Sequence, residues 1–152
     1  MGLSTCTIRG ESGLTCIPDV TIDKLNKKEI DSLVLTGCMD VMKLADEESL
    51  FTFLKEIESK LSVIASISSS PFLLAKAGLL KGRKYTVGML EADLRKTCVF
   101  ESENYSEETV VQDGKFITAK GRGFVRFGQA LGNALGLTFD EKWYESSDEE
   151  ME

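Results

Sequence analysis

The run Leu61-Ser-Val-Ile-Ala-Ser-Ile-Ser68-Ser-Ser-Pro71 constrains the fold of this chain more than any other stretch. Its apolar residues up to Ile67 read as a buried strand and its serines as a tight turn. Pro71 reads as the first residue of a helix, where its fixed φ and missing N–H do no harm. A strand that turns abruptly into a helix belongs to an α/β architecture. A side chain held on such an elbow, at the C-terminal edge of a sheet, is where those folds place a nucleophile. Here that residue is Ser68, and the chain contains no histidine to deprotonate it. The run therefore gives the address of a site without declaring a reaction.

The 152 residues, 42% of them hydrophobic, suffice for one domain with a core of its own. The formal charge of −7 argues against nucleic acid as a partner, because phosphate binding needs basic surface. Much of that charge lies in residues 145–152, an acidic tail expected to be disordered, in which Ser146 and Ser147 precede acidic residues. The expected division is a domain over residues 1–144 followed by this tail. Cys6, Cys16, Cys38 and Cys98 lack metal-type spacing and read as reduced thiols of a cytoplasmic protein, with no metal site. No apolar run approaches the roughly 20 residues that span a bilayer, so no membrane partner is expected. Nothing in the sequence asks for a cofactor.

Along the chain, residues 3–8 and 14–17 read as short strands around a Gly10–Gly13 turn. Residues 30–36 read as a strand buried on both faces. Asp46 is placed to cap a helix carrying Leu50, Phe53, Leu54 and Ile57 at helical spacing. The elbow strand, 61–67, leads into a helix over 72–77 closed by Gly78. A strand over 84–87 and a weaker helix from about Glu91 follow. Asp113-Gly114 signals a hairpin within 109–119. Gly121-Arg-Gly123 then opens a last helix to about Leu135, whose Gly128, Gly132 and Gly136 suggest close packing. Alternating strands and helices imply a mostly parallel sheet covered on both faces.

Ligands of such sheets bind beyond the carboxyl ends of the strands. Gly37-Cys38-Met39, Ser68-Ser69-Ser70 and the loop after Val87 are expected to converge there, forming a crevice for a small-molecule ligand. Backbone N–H groups near Gly37, Cys38 and Ser69 are candidates for an oxyanion hole. Ser68 is the candidate nucleophile. Ser70, just before Pro71, also reads as an ordinary helix N-cap. Cys38 reads either as a second nucleophile or as a buried, inert thiol. A lysine base is conceivable, and Lys120 lies just before the Gly121 loop, but nothing in the spacing singles it out. Arg122 and Arg126 are candidate anion contacts, or else a solvated pair.

Leu33-Val-Leu-Thr-Gly-Cys38, Ile64-Ala-Ser-Ile-Ser-Ser-Ser-Pro71, Leu74-Ala-Lys-Ala-Gly-Leu-Leu-Lys-Gly82 and Val110-Val-Gln-Asp-Gly-Lys-Phe-Ile-Thr118 together resemble the DJ-1/PfpI family. The likeness runs from about Leu3 to Leu137. It implies a flavodoxin-like three-layer α/β sandwich related to class I glutamine amidotransferase domains. It also implies an activity range that includes chaperones, protease-like proteins and glyoxalase- or deglycase-like enzymes, commonly as homodimers. On this resemblance the family's elbow cysteine falls on Ser68. The histidine that often follows the next strand falls at about Gly88, and the second glycine of a Gly-Gly pair falls on Cys38. The chain reads as starting at the family's second strand, roughly 30–40 residues or one β-α unit late. Three expectations follow: a non-catalytic binding or structural module, an enzyme of the hydrolase or glyoxalase kind using Ser68, or a truncated product without function.

Overall fold

The computed structural model of the chain describes residues 1–10 and 12–140. The acidic tail expected over 145–152 and the domain boundary at 144 lie outside the described residues. The first elements are slight. β1 (Ile8–Arg9) and β2 (Thr15–Cys16) pair antiparallel in a ribbon whose residues are all exposed. They are shorter than the strands expected over 3–8 and 14–17, because a two-stranded ribbon with no apolar face to bury is marginal. The turn between them forms as expected, with Gly13 at φ +84° donating its N–H to the Gly10 carbonyl at 2.9 Å.

The central sheet contains β3 (Ser32–Leu35), β4 (Val63–Ile67), β5 (Val110–Asp113) and β6 (Phe116–Ala119) in the order β3-β4-β6-β5. β3, β4 and β6 run parallel, and β5 is antiparallel to β6. The β5–β6 hairpin closes as its Asp-Gly signal requires: Asp113 pairs with Phe116, and Gly114 adopts φ +59°.

Both faces of the sheet are covered, and the alternation of β4 explains how. Ile64 joins a cluster with Leu54 and Ile57 of α1 (Glu48–Glu58), Phe72 and Leu74 of α2 (Pro71–Lys76), and Phe116. Val63 and Ala65 face the other way, with Ile117 and Ala119. α3 (Glu91–Thr97) buries no residue on either side. α4 (Phe124–Ala134) covers the second face through Phe127, with Ala130 and Leu131 packed against it. The result is a three-layer sandwich with one antiparallel edge strand.

Four local expectations are corrected. β3 is an edge strand, so Val34 is exposed instead of buried between two layers. α1 starts after Glu47 without a side-chain cap, and Asp46 offers only its backbone carbonyl, to the Glu48 N–H at 3.0 Å. Residues 84–87 form no strand beyond a single bridge between Tyr85 and Tyr105. Side chains meet two of their donors, Lys84 N–H by Asp113 Oδ2 at 2.9 Å and Thr86 N–H by Thr118 Oγ1 at 3.0 Å, while Tyr85 N–H donates to the Asn104 carbonyl at 3.0 Å. The glycine spacing on α4 has three separate causes. The Phe139 ring lies where a Gly132 Cβ would be, Gly136 closes the helix at φ +69°, and Gly128 faces open space.

Candidate functional site at the β4–α2 elbow

Ser68 is where β4 ends. Its N–H still donates to the Ala119 carbonyl at 2.8 Å, but its φ swings to +65°. A non-glycine residue pays about 1–2 kcal/mol to enter that left-handed region. The surroundings over-determine it. The Ser68 carbonyl accepts the Gly88 N–H at 2.7 Å, and three glycines from three loops crowd the residue. A Cβ on Gly37 would lie 2.7 Å from Ser68 Cβ, one on Gly88 3.2 Å from its Cα, and one on Gly121 3.4 Å from its Oγ. Gly37 and Gly88 thus leave no room for side chains beside the one that is displayed, while Gly121 sits at ordinary contact distance.

The neighbouring serines have structural duties. Ser70 stands at the helix start with αR backbone angles and makes no capping bond. The expected N-cap bond is absent because its buried Oγ is engaged elsewhere. That oxygen lies 2.9 Å from the Leu35 carbonyl and 2.8 Å from the Ile67 carbonyl, and it accepts the Ile67 N–H at 3.2 Å. Its single proton serves one carbonyl at a time, and either choice ties the elbow together. The Ser69 hydroxyl donates to the Cys38 carbonyl at 2.6 Å. The half-buried Cys38 thiol lies 3.9 Å from the same oxygen.

Gly37, Cys38, Ser68 and Ser69 are therefore brought together as expected. The backbone N–H groups of Gly37, Cys38 and Ser69 meet no acceptor among the described residues, and neither does the half-buried Ser68 hydroxyl. Unpartnered donors beside a strained elbow form the kind of arrangement that holds a carbonyl or carboxylate oxygen. Gly37 and Cys38 also line an apolar groove of about 300 Å³ along the exposed edge of β3.

A general base is a different matter. Lys120 precedes Gly121, but its Nζ donates to the Glu107 carbonyl at 2.8 Å and pairs with the Glu107 carboxylate at 3.1 Å. It also lies 5.4 Å from the centre of the Tyr105 ring. Burial alone would push the ammonium down, yet hydrogen bonds to Tyr105 and Glu107 outweigh it and hold Lys120 above the ordinary lysine value. Lys120 is thus a cation engaged with Glu107 and Tyr105. Arg122 and Arg126 are both exposed, and Arg122 makes no ion pair among the described residues. Gly121, rather than either arginine, is the residue of that turn that meets Ser68.

Sequence reasoning missed a buried hydroxyl layer below the elbow. Ser66 Oγ lies 3.2 Å from Ser70 Oγ, and Ser66 pairs in register with Thr118, whose Oγ1 receives the Thr86 N–H. The polar residues that interrupt β4 and β6 at Ser66 and Thr118 were its only signal.

A strained serine elbow at the carboxyl end of a three-layer parallel sheet defines a class of protein before any comparison is made. The chain belongs to the DJ-1/PfpI family, whose model matches residues 1–132. It is similar to a deglycase of Pyrococcus horikoshii, with 29% identity over 75% of this chain and 67% of that protein. Among solved structures it is similar in fold to a ThiJ/PfpI family protein from Bacillus anthracis, with TM-score 0.81, 22% identity and coverage of 95% of this chain and 69% of that one. It also resembles a DJ-1 superfamily protein from Agrobacterium tumefaciens, with TM-score 0.79, 25% identity and coverage of 94% and 76%. The fold is flavodoxin-like, as expected. No helix among the described residues is long and apolar enough to cross a membrane.

Proposed function

We propose that this protein is a binding module of the DJ-1/PfpI family, one that holds a small carbonyl- or carboxylate-bearing molecule at the elbow and has left the family's cysteine chemistry behind. The observation that carries this reading is Ser68 itself. It stands on the strained elbow beside three unpartnered amides, while Lys120, a conceivable base, is tied to Glu107. A serine hydroxyl without a base stays protonated and is a poor nucleophile, but it remains a good hydrogen-bond partner. A cytoplasmic location and a homodimer belong to the same reading, on family resemblance.

Titration with pyruvate as a carboxylate probe tests it. The melting temperature should rise with concentration in the wild type. Ser69→Trp, which blocks the crevice, should suppress the rise. A melting temperature indifferent to pyruvate in the wild type sinks the binding reading.

The runner-up is an enzyme of the hydrolase or glyoxalase/deglycase kind with Ser68 as nucleophile. The retained elbow geometry and the deglycases among the relatives favour it. That reading requires a fluorophosphonate probe to label the wild type and to spare Ser68→Ala. It also requires turnover of esters or 2-oxoaldehydes that disappears in the same variant.

A further inference from the structure

Among the described α-helices, α3 alone buries no side chain. Along it lies an open cleft of about 550 Å³, within the range of roughly 300–1,000 Å³ typical of small-molecule pockets. Tyr85, Phe100 and Tyr105 form its aromatic wall, and Met89 and Leu94 close it from the side of α3. Tyr85 and Phe100 stack with centroids 5.0 Å apart and planes 26° apart, and Tyr105 meets Tyr85 edge-on at 5.9 Å. Such a stack with an edge contact is the geometry into which a further planar ring fits.

The charges around the cavity narrow the ligand. Glu91 is paired with Arg95, and Glu107 with Lys120, so the carboxylates that line the cavity are already neutralised. The Tyr85 hydroxyl donates to the Glu101 carbonyl at 3.2 Å. The Ser102 hydroxyl, by contrast, has no partner among the described residues and can meet a polar edge. We infer that this cavity is a binding site for a small, neutral, planar aromatic or heteroaromatic molecule, stacked on the Tyr85–Phe100–Tyr105 wall and covered by α3.

Both ends of α3 suit a cover. It is entered through Gly88-Met89-Leu90 and left at Cys98, a non-glycine residue at φ +52°. The entry also reaches the elbow, because the Gly88 N–H is the donor to the Ser68 carbonyl. Occupancy under α3 is therefore felt one hydrogen bond away from Ser68.

The test uses the full, isotope-labelled chain titrated with indole and followed through its amide resonances. Saturable shifts are expected at Met89, Leu94, Phe100, Ser102 and Tyr105. Leu94→Trp fills the cavity from the helix side and should weaken binding by about tenfold or more, a difference of about 1.4 kcal/mol. Met89→Trp is the second filling variant, used if the first does not fold. Ser68→Ala should bind indole as the wild type does, which separates this site from the elbow. Cyclohexanol, similar in size but not planar, should bind more weakly than indole. The inference is overturned by an absence of saturable shifts, by shifts confined to the β3 edge or to α4, by undiminished binding in a folded filling variant, or by equal binding of cyclohexanol.

Discussion

The β4–α2 unit and the α3 segment are joined by the hydrogen bond from Gly88 to Ser68 and by partly buried side chains such as Leu94, and are built on opposite principles. On one side β4 and α2 are buried almost throughout: Ile64, Ala65, Ser66, Phe72 and Leu74 are each 1% exposed or less. On the other, α3 fully buries no residue, touches the core through the partly buried Leu94, and carries the Glu91–Arg95 and Asp93–Lys96 pairs within its own exposed face. The difference teaches where this fold tolerates strain. The left-handed Ser68 is held by packing at the centre of the sheet, whereas Cys98 takes the same conformation on the exposed flank, as the residue that closes α3. The flank is free of that demand, so its shape can answer to a ligand.

The largest expected effect tests the packing side of this contrast. Phe72→Ala removes one of the largest fully buried side chains and should cost about 4 kcal/mol. At about 3 °C per kcal/mol for a chain of this size, its melting temperature should fall by about 12 °C. Leu94→Ala on α3 should cost about 1 kcal/mol or less, since Leu94 is only partly buried. Urea unfolding of both variants measures the ratio. Comparable losses would break the comparison, because α3 would then be as much a part of the core as α2.

A pair of glycine substitutions sharpens the point about strain. Gly37→Ala would set a Cβ 2.7 Å from Ser68 Cβ, and the overpacking should cost about 2 kcal/mol. Gly128→Ala meets nothing within 4 Å in the middle of α4 and should stabilise by up to about 1 kcal/mol through helix propensity. Opposite signs in thermal melts are expected. Two destabilising results would show that the crowding is not peculiar to the elbow.

Most of this contrast was legible in the sequence where local chemistry decides the outcome. Pro71 marked the start of α2, and Gly78 its end: at φ +78°, Gly78 donates to Ala75 while Leu79 donates to Leu74. Asp113-Gly114 marked the hairpin because its turn needs a positive φ. The failures share a different cause. Residues 84–87 looked like a strand, yet Lys84 and Thr86 donate to the side chains of Asp113 and Thr118, roughly thirty residues away in the chain, and Tyr85 donates to the Asn104 carbonyl. Nothing in the sequence singled out Lys120 as a base, and Glu107 and Tyr105 reach it from a loop that carries no sign of doing so. Ser70 looked like a cap, and its hydroxyl went to the end of β3 instead. In each case the deciding partner, side chain or backbone carbonyl, comes from another element of the fold. The site was accordingly legible as a place, but not as a network.

The smallest effect concerns the wall that the two regions share. Tyr85 is pushed up to about 12, first by burial and then by Tyr105, Glu101 and Glu103 nearby. In the unfolded chain it titrates near the ordinary tyrosine value, about 10. Between those limits the unfolded state has lost the proton that the folded state keeps, so stability attached to Tyr85 is full below pH 10 and drains as pH rises through about 12. Tyr85→Phe removes the hydrogen bond to the Glu101 carbonyl and should cost about 1 kcal/mol near neutral pH. The variant has no group at this position to ionise, so the gap between its melting temperature and that of the wild type should close from pH 10 upward. Residues that titrate alike in both proteins cancel in the difference. A gap that stays constant across that range would mean that Tyr85 ionises as freely in the folded protein as in the unfolded one. The aromatic wall would then be open to water, and α3 would cover nothing.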